Sequence, residues 1–491
     1  MMIMKQKPGA KHPERVLQFG EGNFLRGFVD WMIHRMNQQG LYDGQAVVIQ
    51  PIAEGLSDQI NAQSGMYTLL LRGMLQGKMV DEADLITSIR RAINPYHDYK
   101  AFLHCALNPD LRIIVSNTTE SGIAYDPKNQ YYDAPPASFP GKLTVFLHKR
   151  FKAFQGDPAK AFIILPCELI ERNGEQLKQI IVRYANQWGL GEDFIAWLDH
   201  NHFLNTLVDR IVTGYPKEEM KQLTARFGYV DHLFNTAEPF HLWVIEGDTR
   251  LAEEFPLTQA GLNVIWTDNM TPYRTRKVRI LNGAHTMTVL AAYLAGKDTV
   301  KECMDDKCIS AFMNKGLFEE IIPTLDLPRD ELESYANAVI ERFANPFIHH
   351  HLLSIALNSV SKFKTRVLPS LLEYKQRTGN LPPILCFSLA ALILFYREAR
   401  FENGVHYGER NGGSYKIQDD APHLERFREI WSDCDNSPAA LRRVAKQVLA
   451  HEPFWGVDLD ATEGLSERIA DALALMLAEG ITEAMKQTIR E

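Results

Sequence analysis

The organisation of the chain changes once, and that change constrains its fold more than any other feature. Up to about residue 272, short β-rich runs alternate with helical patterns. The runs are "RVLQFG" (Arg15–Gly20), "QAVVIQ" (Gln45–Gln50), "LRIIVSN" (Leu111–Asn117) and "AFIILP" (Ala161–Pro166). "NFLRGFVDWMIHRMNQQG" follows the first, with apolar residues at helical spacing and Gly40 as a stop. This rhythm predicts a parallel sheet with crossover helices. From about Thr275 the strand signal fades. Val278–Ala295, Asp330–Phe343, Leu352–Tyr374, Leu424–Trp431 and Glu467–Arg490 read as amphipathic helices, and "NGVHYGERNGGSYKIQDDAP" (Asn403–Pro422) reads as a loop. At 491 residues the chain is too long for a single compact core. The expected class is α/β: a parallel-sheet domain over residues 1–273, then a mainly α-helical domain over 274–491, divided near Pro272.

Charge and composition exclude several functions. A formal net charge of −8, with no basic run, argues against nucleic acid as a partner. The most apolar stretch, Ile384–Phe395, is shorter than the about 20 residues that span a bilayer, so it is expected to be a buried core helix rather than a membrane segment. The N-terminal "MMIMKQKPGAKHPER" lacks the apolar centre of a secretory signal. The cysteines, Cys105, Cys167, Cys303, Cys308, Cys386 and Cys434, form no CxxC pair and are expected as free thiols in a reducing cytoplasm.

"VLQFGEGNFLRG" stands where the first strand meets the first helix. Gly20 permits a tight turn, Gly22 lets a pyrophosphate approach the backbone, and the following N–H groups open a helix with its positive end toward the phosphates. A third glycine would fall at position 25, which is Leu25. The same glycines would also serve an ordinary strand–helix turn. The dinucleotide reading makes the first domain Rossmann-type. A ribose-binding acid is expected at the end of the second strand, but Gln50-Pro51 stand there, with Asp43 before the strand and Glu54 beyond it, so this position does not select between NAD and NADP.

The second polar concentration is "KVRILNGAH", Lys277–His285, inside an apolar helical pattern expected to run as one helix to Leu294. At about 100° per residue, Lys277, Asn282 and His285 share one broad face. A solvated lysine and a core histidine are the ordinary alternatives. The catalytic reading is specific: a lysine partly buried among cations holds its proton loosely and exchanges it with an alcohol or ketone oxygen while hydride moves to or from a nicotinamide. Asn282 and His285 would donate hydrogen bonds to that oxygen, and no metal is required.

Lys277-x4-Asn282-x2-His285, with "FGEGNFLRG", resembles the polyol-specific long-chain dehydrogenases, the mannitol dehydrogenase family. "SNTTESG", "PCELIERNG", "NTLVDRIVTGYP", "EPFHLWVIEGD" and "NPFIHHHLLSIALNSVSKFKTRVLP" extend the resemblance over nearly the whole chain. It implies an NAD-linked oxidoreductase acting on a CH–OH group, with its active site where the two domains meet. Its closer features imply reduction of D-tagaturonate to D-altronate in hexuronate catabolism. Fructuronate and mannitol-type polyols are the rival substrates, and a non-catalytic dinucleotide sensor is the rival from another class. By residue, the resemblance makes Lys277 the general acid/base and Asn282 and His285 the holders of the reacting oxygen, with Asp209 near the reaction centre. Gly20, Glu21, Gly22, Asn23, Phe24, Leu25 and Arg26 would line the pyrophosphate, and Thr119 and Glu120 the nicotinamide ribose. Mannitol-type members carry "CDN" where this chain has Cys167-Glu168-Leu169, which speaks against mannitol itself. A hexuronate carboxylate calls for cations. Lys362 and Arg366 are the chosen candidates, with Lys364, Arg274, Arg276 and Arg279 as others. A monomer or small homo-oligomer is expected.

Two patterns are set aside. Tyr96–Lys100 and Tyr273–Lys277 match Tyr-x-x-x-Lys without the spacing of a tyrosine-based site. His349–His351 cannot all face one metal from a helix, because consecutive residues point about 100° apart.

Overall fold

The computed structural model describes residues 12–119, 121–348 and 350–491. Glu120 and His349 therefore lie outside the described residues. The chain divides into two compact units, Met1–Gly73 with Lys78–Met270, and Met74–Gly77 with Thr271–Glu491.

The first unit is built on six parallel strands: β1 (Glu14–Phe19), β2 (Gln45–Ile49), β3 (Ile89–Ile93), β4 (Ile113–Ser116), β5 (Ile163–Pro166) and β6 (His202–Phe203). Their order across the sheet is β3-β2-β1-β4-β5-β6, the Rossmann order, which reverses between β1 and β4. The strands read as near-continuous apolar runs because both faces are covered. Val16, Val48, Ile113, Val115 and Ile163 face one core; Leu17, Val47, Ile49, Ile114 and Ile164 face the other. Each such side chain contributes about 1.5–3 kcal/mol on full burial, so register is strongly specified. Two three-stranded sheets add to this unit: Tyr67–Leu75 and Lys78–Ile86 with Asn235–Ala237, and Asn205–Asp209 with Leu242–Glu246 and Val264–Thr267. Trp243, Ile245, Tyr67 and Leu69 from these sheets join the first core.

The second unit is mainly helical. The apolar stretch near its middle forms the helix Pro383–Phe395, buried at nearly every position. Its first turn is held by Glu320, whose carboxylate accepts the N–H groups of Ile384 and Leu385 at 2.8 and 2.9 Å. Burial pushes the Glu320 carboxyl up to about 7.

Three expectations need correction here. The stretch Asn403–Pro422 is not a loop: Arg400–Glu402, Val405–Arg410 and Gly413–Ile417 form an antiparallel sheet. Its two turns are Asn403-Gly404 and Asn411-Gly412, all four residues at positive φ, the Asn-Gly signature of tight hairpins. The long C-terminal patterns break into shorter helices, Leu352–Ile355, Ser359–Arg366 and Leu368–Thr378, then Leu465–Glu479 and Ile481–Arg490 with Gly480 between them. The helix expected from Lys277 to Leu294 is not one α-helix. Thr271–Arg276 is α-helical, Lys277–Asn282 is a π-helix, and Gly283–Leu294 resumes the α form. Among the described residues, no helix is long and apolar enough to cross a membrane.

Candidate active site

In the first unit a cleft of about 490 Å³ opens at the C-terminal ends of β1, β2 and β4. Gly20, Glu21 and Gly22 form one wall, Pro51 and Ile52 a second, and Asn117, Thr119 and Ser121 a third. This is the crevice at the reversal of strand order, where open parallel sheets take ligands. Gly20 has φ of +120° and its N–H donates to the Ile49 carbonyl. A Cβ there would stand 2.8 Å from the Asn117 carbonyl oxygen, so the backbone turns too tightly for any side chain. Gly22 differs: a Cβ on it would meet nothing within 4 Å. The space beside it opens the short helix Asn23–Arg26, as close approach of a pyrophosphate requires.

Of the turn residues named from sequence, only Gly20, Glu21 and Gly22 line this cleft. Leu25 is buried in the core, and Phe24 packs against it. Arg26 is 2 % exposed; its guanidinium donates to the carbonyls of Glu21 and Leu233 and to Asn23 Oδ1. Arg26 thus holds the turn in shape instead of reaching toward phosphate. The close packing expected of a third glycine comes from Gly27, where a Cβ would lie 2.9 Å from Val212. Gln50, at the end of β2, donates to the Ile52 and Ala53 carbonyls and accepts from the Ser57 N–H, which folds the following loop on itself. Glu54 is exposed on that loop. Thr119 lines the cleft at φ +74°. Asp209 is buried at the end of the Asn205–Asp209 strand, opposite Leu242 of the neighbouring strand, and is not among the cleft-lining residues.

The polar cluster of the second unit is organised by the π-helix. Lys277 and Asn282 are five residues apart, the spacing that an i→i+5 turn brings together along one face, whereas an α-helix would spread them by about 140°. Lys277, Asn282 and His285 are all half-buried. The ring of His285 lies 4.0 Å from that of Phe343 and 5.3 Å from that of His350. Burial, then the nearby His350, Arg342, Arg366 and Lys362, hold the His285 pKa well below the ordinary imidazole range. It is a neutral ring at physiological pH, able to donate from one nitrogen and accept at the other.

The helix Ser359–Arg366 carries two of those cations at positions four apart, on one face. It runs close to the end of the π segment: a Cβ on Gly283 would lie 3.3 Å from the Arg366 carbonyl oxygen. Lys362 and Arg366 are half-buried, and burial lowers the pKa of both. Lys362 Nζ donates to the Ile355 carbonyl at 2.8 Å. The other basic candidates differ. Arg276 pairs with Glu331 and stacks over Tyr335, and Arg279 donates to Ser370 Oγ at 3.4 Å. Arg342 was not singled out from sequence, and His350 was weighed there only as part of a metal reading of His349–His351. Arg342 sits one residue before Phe343 in an ordinary amphipathic helix, so nothing in the pattern singles it out.

Comparison with known families matches residues 14–259 to the mannitol dehydrogenase Rossmann domain and 269–477 to the mannitol dehydrogenase C-terminal domain. The chain belongs to the mannitol dehydrogenase family. It is an oxidoreductase acting on a CH–OH group. Similar chains include the altronate oxidoreductases of Escherichia coli O7:K1 (strain IAI39 / ExPEC) and Shigella flexneri, each 48% identical over 481 residues and matched over 98% of both chains. Among solved structures, a D-sorbitol dehydrogenase in substrate-free form superposes with a TM-score of 0.80 at 22% identity, covering 96% of this chain and 95% of that one. Pseudomonas fluorescens mannitol 2-dehydrogenase, in ternary complex with NAD and D-mannitol, gives 0.66 at 22% identity, covering 99% and 96%. Both share the fold.

Within the mannitol dehydrogenase family, the departure at Cys167-Glu168-Leu169 takes on a structural meaning. Glu168 is 2 % exposed and accepts from Ser116 Oγ, Thr118 N and Thr118 Oγ1 at 2.9–3.0 Å. It braces the end of β4. Leu169 is 61 % exposed and, with Asn117, Thr119 and Ser121, lines a further cavity past β4.

Proposed function

We propose that the protein interconverts D-tagaturonate and D-altronate with NAD as cofactor. The relatives named altronate oxidoreductase support this choice, since the resemblance runs along essentially the whole of both chains. The structural observation that supports it is the cationic setting of His285: the helix bearing Lys362 and Arg366 packs against Gly283, two residues from His285, and these cations with Arg342 are close enough to lower the imidazole pKa. Such a concentration of positive charge suits the carboxylate of a sugar acid.

The residues divide the work. The backbone beside Gly22, with Gly20 shaping the turn, receives the pyrophosphate. Bound NAD supplies the hydride acceptor for the alcohol and, when reduced, the hydride donor for the ketone. Lys277 takes the hydroxyl proton in the oxidation and returns it in the reduction. Asn282 and His285 hold the oxygen and stabilise the charge that develops on it. Lys362 and Arg366 receive the carboxylate, which fixes the sugar end for end. Asp209, Thr119 and Glu120 keep supporting parts in this reading, Asp209 for the reaction centre and the other two for the cofactor ribose. The six free cysteines are consistent with a reducing, cytoplasmic setting.

Steady-state assays of purified protein test the reading. D-tagaturonate should give the highest kcat/KM among tagaturonate, fructuronate and fructose with NADH, and NADPH should serve poorly. Equal or better turnover of fructose would contradict it.

A further inference from the structure

The helix Ser359–Arg366 has an unusual start. Asn358, at its N-cap, is in the left-handed region with φ of +53°, and its side chain makes no capping hydrogen bond. The first N–H groups of a helix have no partners within it and must be satisfied from outside. Here two of them are satisfied from distant parts of the unit. The Ser359 N–H donates to the Tyr396 hydroxyl at 3.2 Å, and the Val360 N–H to Asp419 Oδ2 at 3.2 Å. The Tyr396 hydroxyl in turn donates to the same Asp419 oxygen.

Asp419 is committed to this task. Its side chain is fully buried. Its other oxygen accepts the Asp420 N–H at 2.8 Å and lies 3.2 Å from His423 Nδ1. Asp419 follows directly on the antiparallel sheet that ends at Ile417, and the Gln418 carbonyl between them accepts the Asn358 N–H at 3.1 Å. The sheet thus delivers a carboxylate and a carbonyl to the start of one helix. Tyr396 is held from the other side, its ring stacked on Phe427 with centroids 4.6 Å apart. One turn into the helix stands Lys362, on which the Asp419 charge also acts, and at its last position Arg366, the groups given to the substrate carboxylate above.

We propose that Asp419, acting with Tyr396, is a positioning residue for substrate recognition: it anchors the start of the Ser359–Arg366 helix and thereby sets where Lys362 and Arg366 stand. The anchor bonds to the start of the helix that carries Lys362 and Arg366, so its loss weakens binding of a carboxylated substrate more than it slows the chemical step. Loss of a buried charge-assisted hydrogen bond that reaches the site in full corresponds to roughly a 10- to 100-fold change in affinity. This inference rests on the assignment of Lys362 and Arg366 to the carboxylate.

The test uses the full-length protein. Asp419→Asn should raise the KM for D-altronate about tenfold or more, while kcat at saturation and NADH affinity stay within about twofold. Amide exchange over residues 359–361 should quicken in the same variant. Tyr396→Phe keeps the ring stack and removes the hydroxyl; it should show the same split, smaller, and it carries the test if Asp419→Asn does not fold. Asp419→Glu, which restores the charge, should recover part of the lost affinity. An unchanged KM overturns the proposal, as does a fall in kcat and NADH affinity together, which would mark a general structural role. Lys362→Ala and Arg366→Ala measured alongside separate the two claims: if they leave KM unaltered while amide exchange in Asp419→Asn still quickens, the carboxylate assignment fails and the anchoring stands.

Discussion

The Gly20–Arg26 turn and the Lys277–Asn282 segment are both short, one at a strand–helix turn and the other inside a helical run, and they are built in opposite ways. In the turn the side chains look inward. Leu25 joins the core, Arg26 is bonded to carbonyls, and what lines the cleft is chiefly backbone around two glycines. In the π segment the backbone is closed in its own hydrogen bonds, and half-buried polar side chains remain for chemistry. The contrast teaches that a turn of this kind depends on open backbone, which a side chain at Gly22 would fill, whereas the helical segment depends on the identity and angular spacing of a few side chains.

The largest expected effect follows from that dependence. Lys277→Met should lower kcat for altronate oxidation by about 10²- to 10⁴-fold, the usual worth of a general acid/base. A rate near that of the parent protein would remove the lysine from the mechanism. Next in size is Arg366→Ala, for which KM for altronate should rise about 10- to 100-fold with kcat little altered. A loss confined to kcat would place Arg366 with the reacting oxygen instead of the carboxylate.

The two regions also differed in how legible they were. Strands β1, β2, β4 and β5 stood out because burial on both faces makes them apolar throughout, and the turn after β1 was marked by its glycines. That only Gly20, Glu21 and Gly22 line the cleft was not visible, since inward and outward side chains in a tight turn carry no period. The π-helix left no mark either. It widens the helical turn by about one residue, with Ile280, Leu281 and Gly283 buried along it, and no residue type announces it. The two sheets beside the Rossmann core escaped because they pair distant segments, such as Tyr67–Leu75 with Asn235–Ala237. The C-terminal hairpins were legible in principle. Asn403-Gly404 and Asn411-Gly412 are strong turn signals, but polar residues at the exposed faces of the strands hid the alternation.

Two smaller effects sharpen the comparison on stability. Gly20→Ala should destabilise the first unit by at least about 1–3 kcal/mol, from the positive φ and the Asn117 carbonyl together, seen as a lower denaturation midpoint. An unchanged midpoint would mean the turn can relax. In the second unit, burial keeps the Glu320 proton on up to about pH 7, while the unfolded chain releases it near the ordinary value of 4.5. Between those values the folded chain holds more protons, so stability falls as pH rises, by on the order of 1 kcal/mol per pH unit at most. Glu320→Gln should flatten that slope in urea melts between pH 5 and 7. An identical slope in the variant would assign it to other groups.

The division of labour itself is tested most directly by NADH affinity, read by fluorescence titration of Lys277→Met beside Gly22→Val. A Cβ at position 22 meets no protein atom within 4 Å, so the substitution fills the space beside the turn with little clash against the Cβ itself. Lys277→Met should bind NADH within about twofold of the parent protein, and Gly22→Val should bind at least about tenfold more weakly, a difference of about 1.4 kcal/mol or more. Equal losses in the two variants, or unimpaired binding in Gly22→Val, would contradict the account.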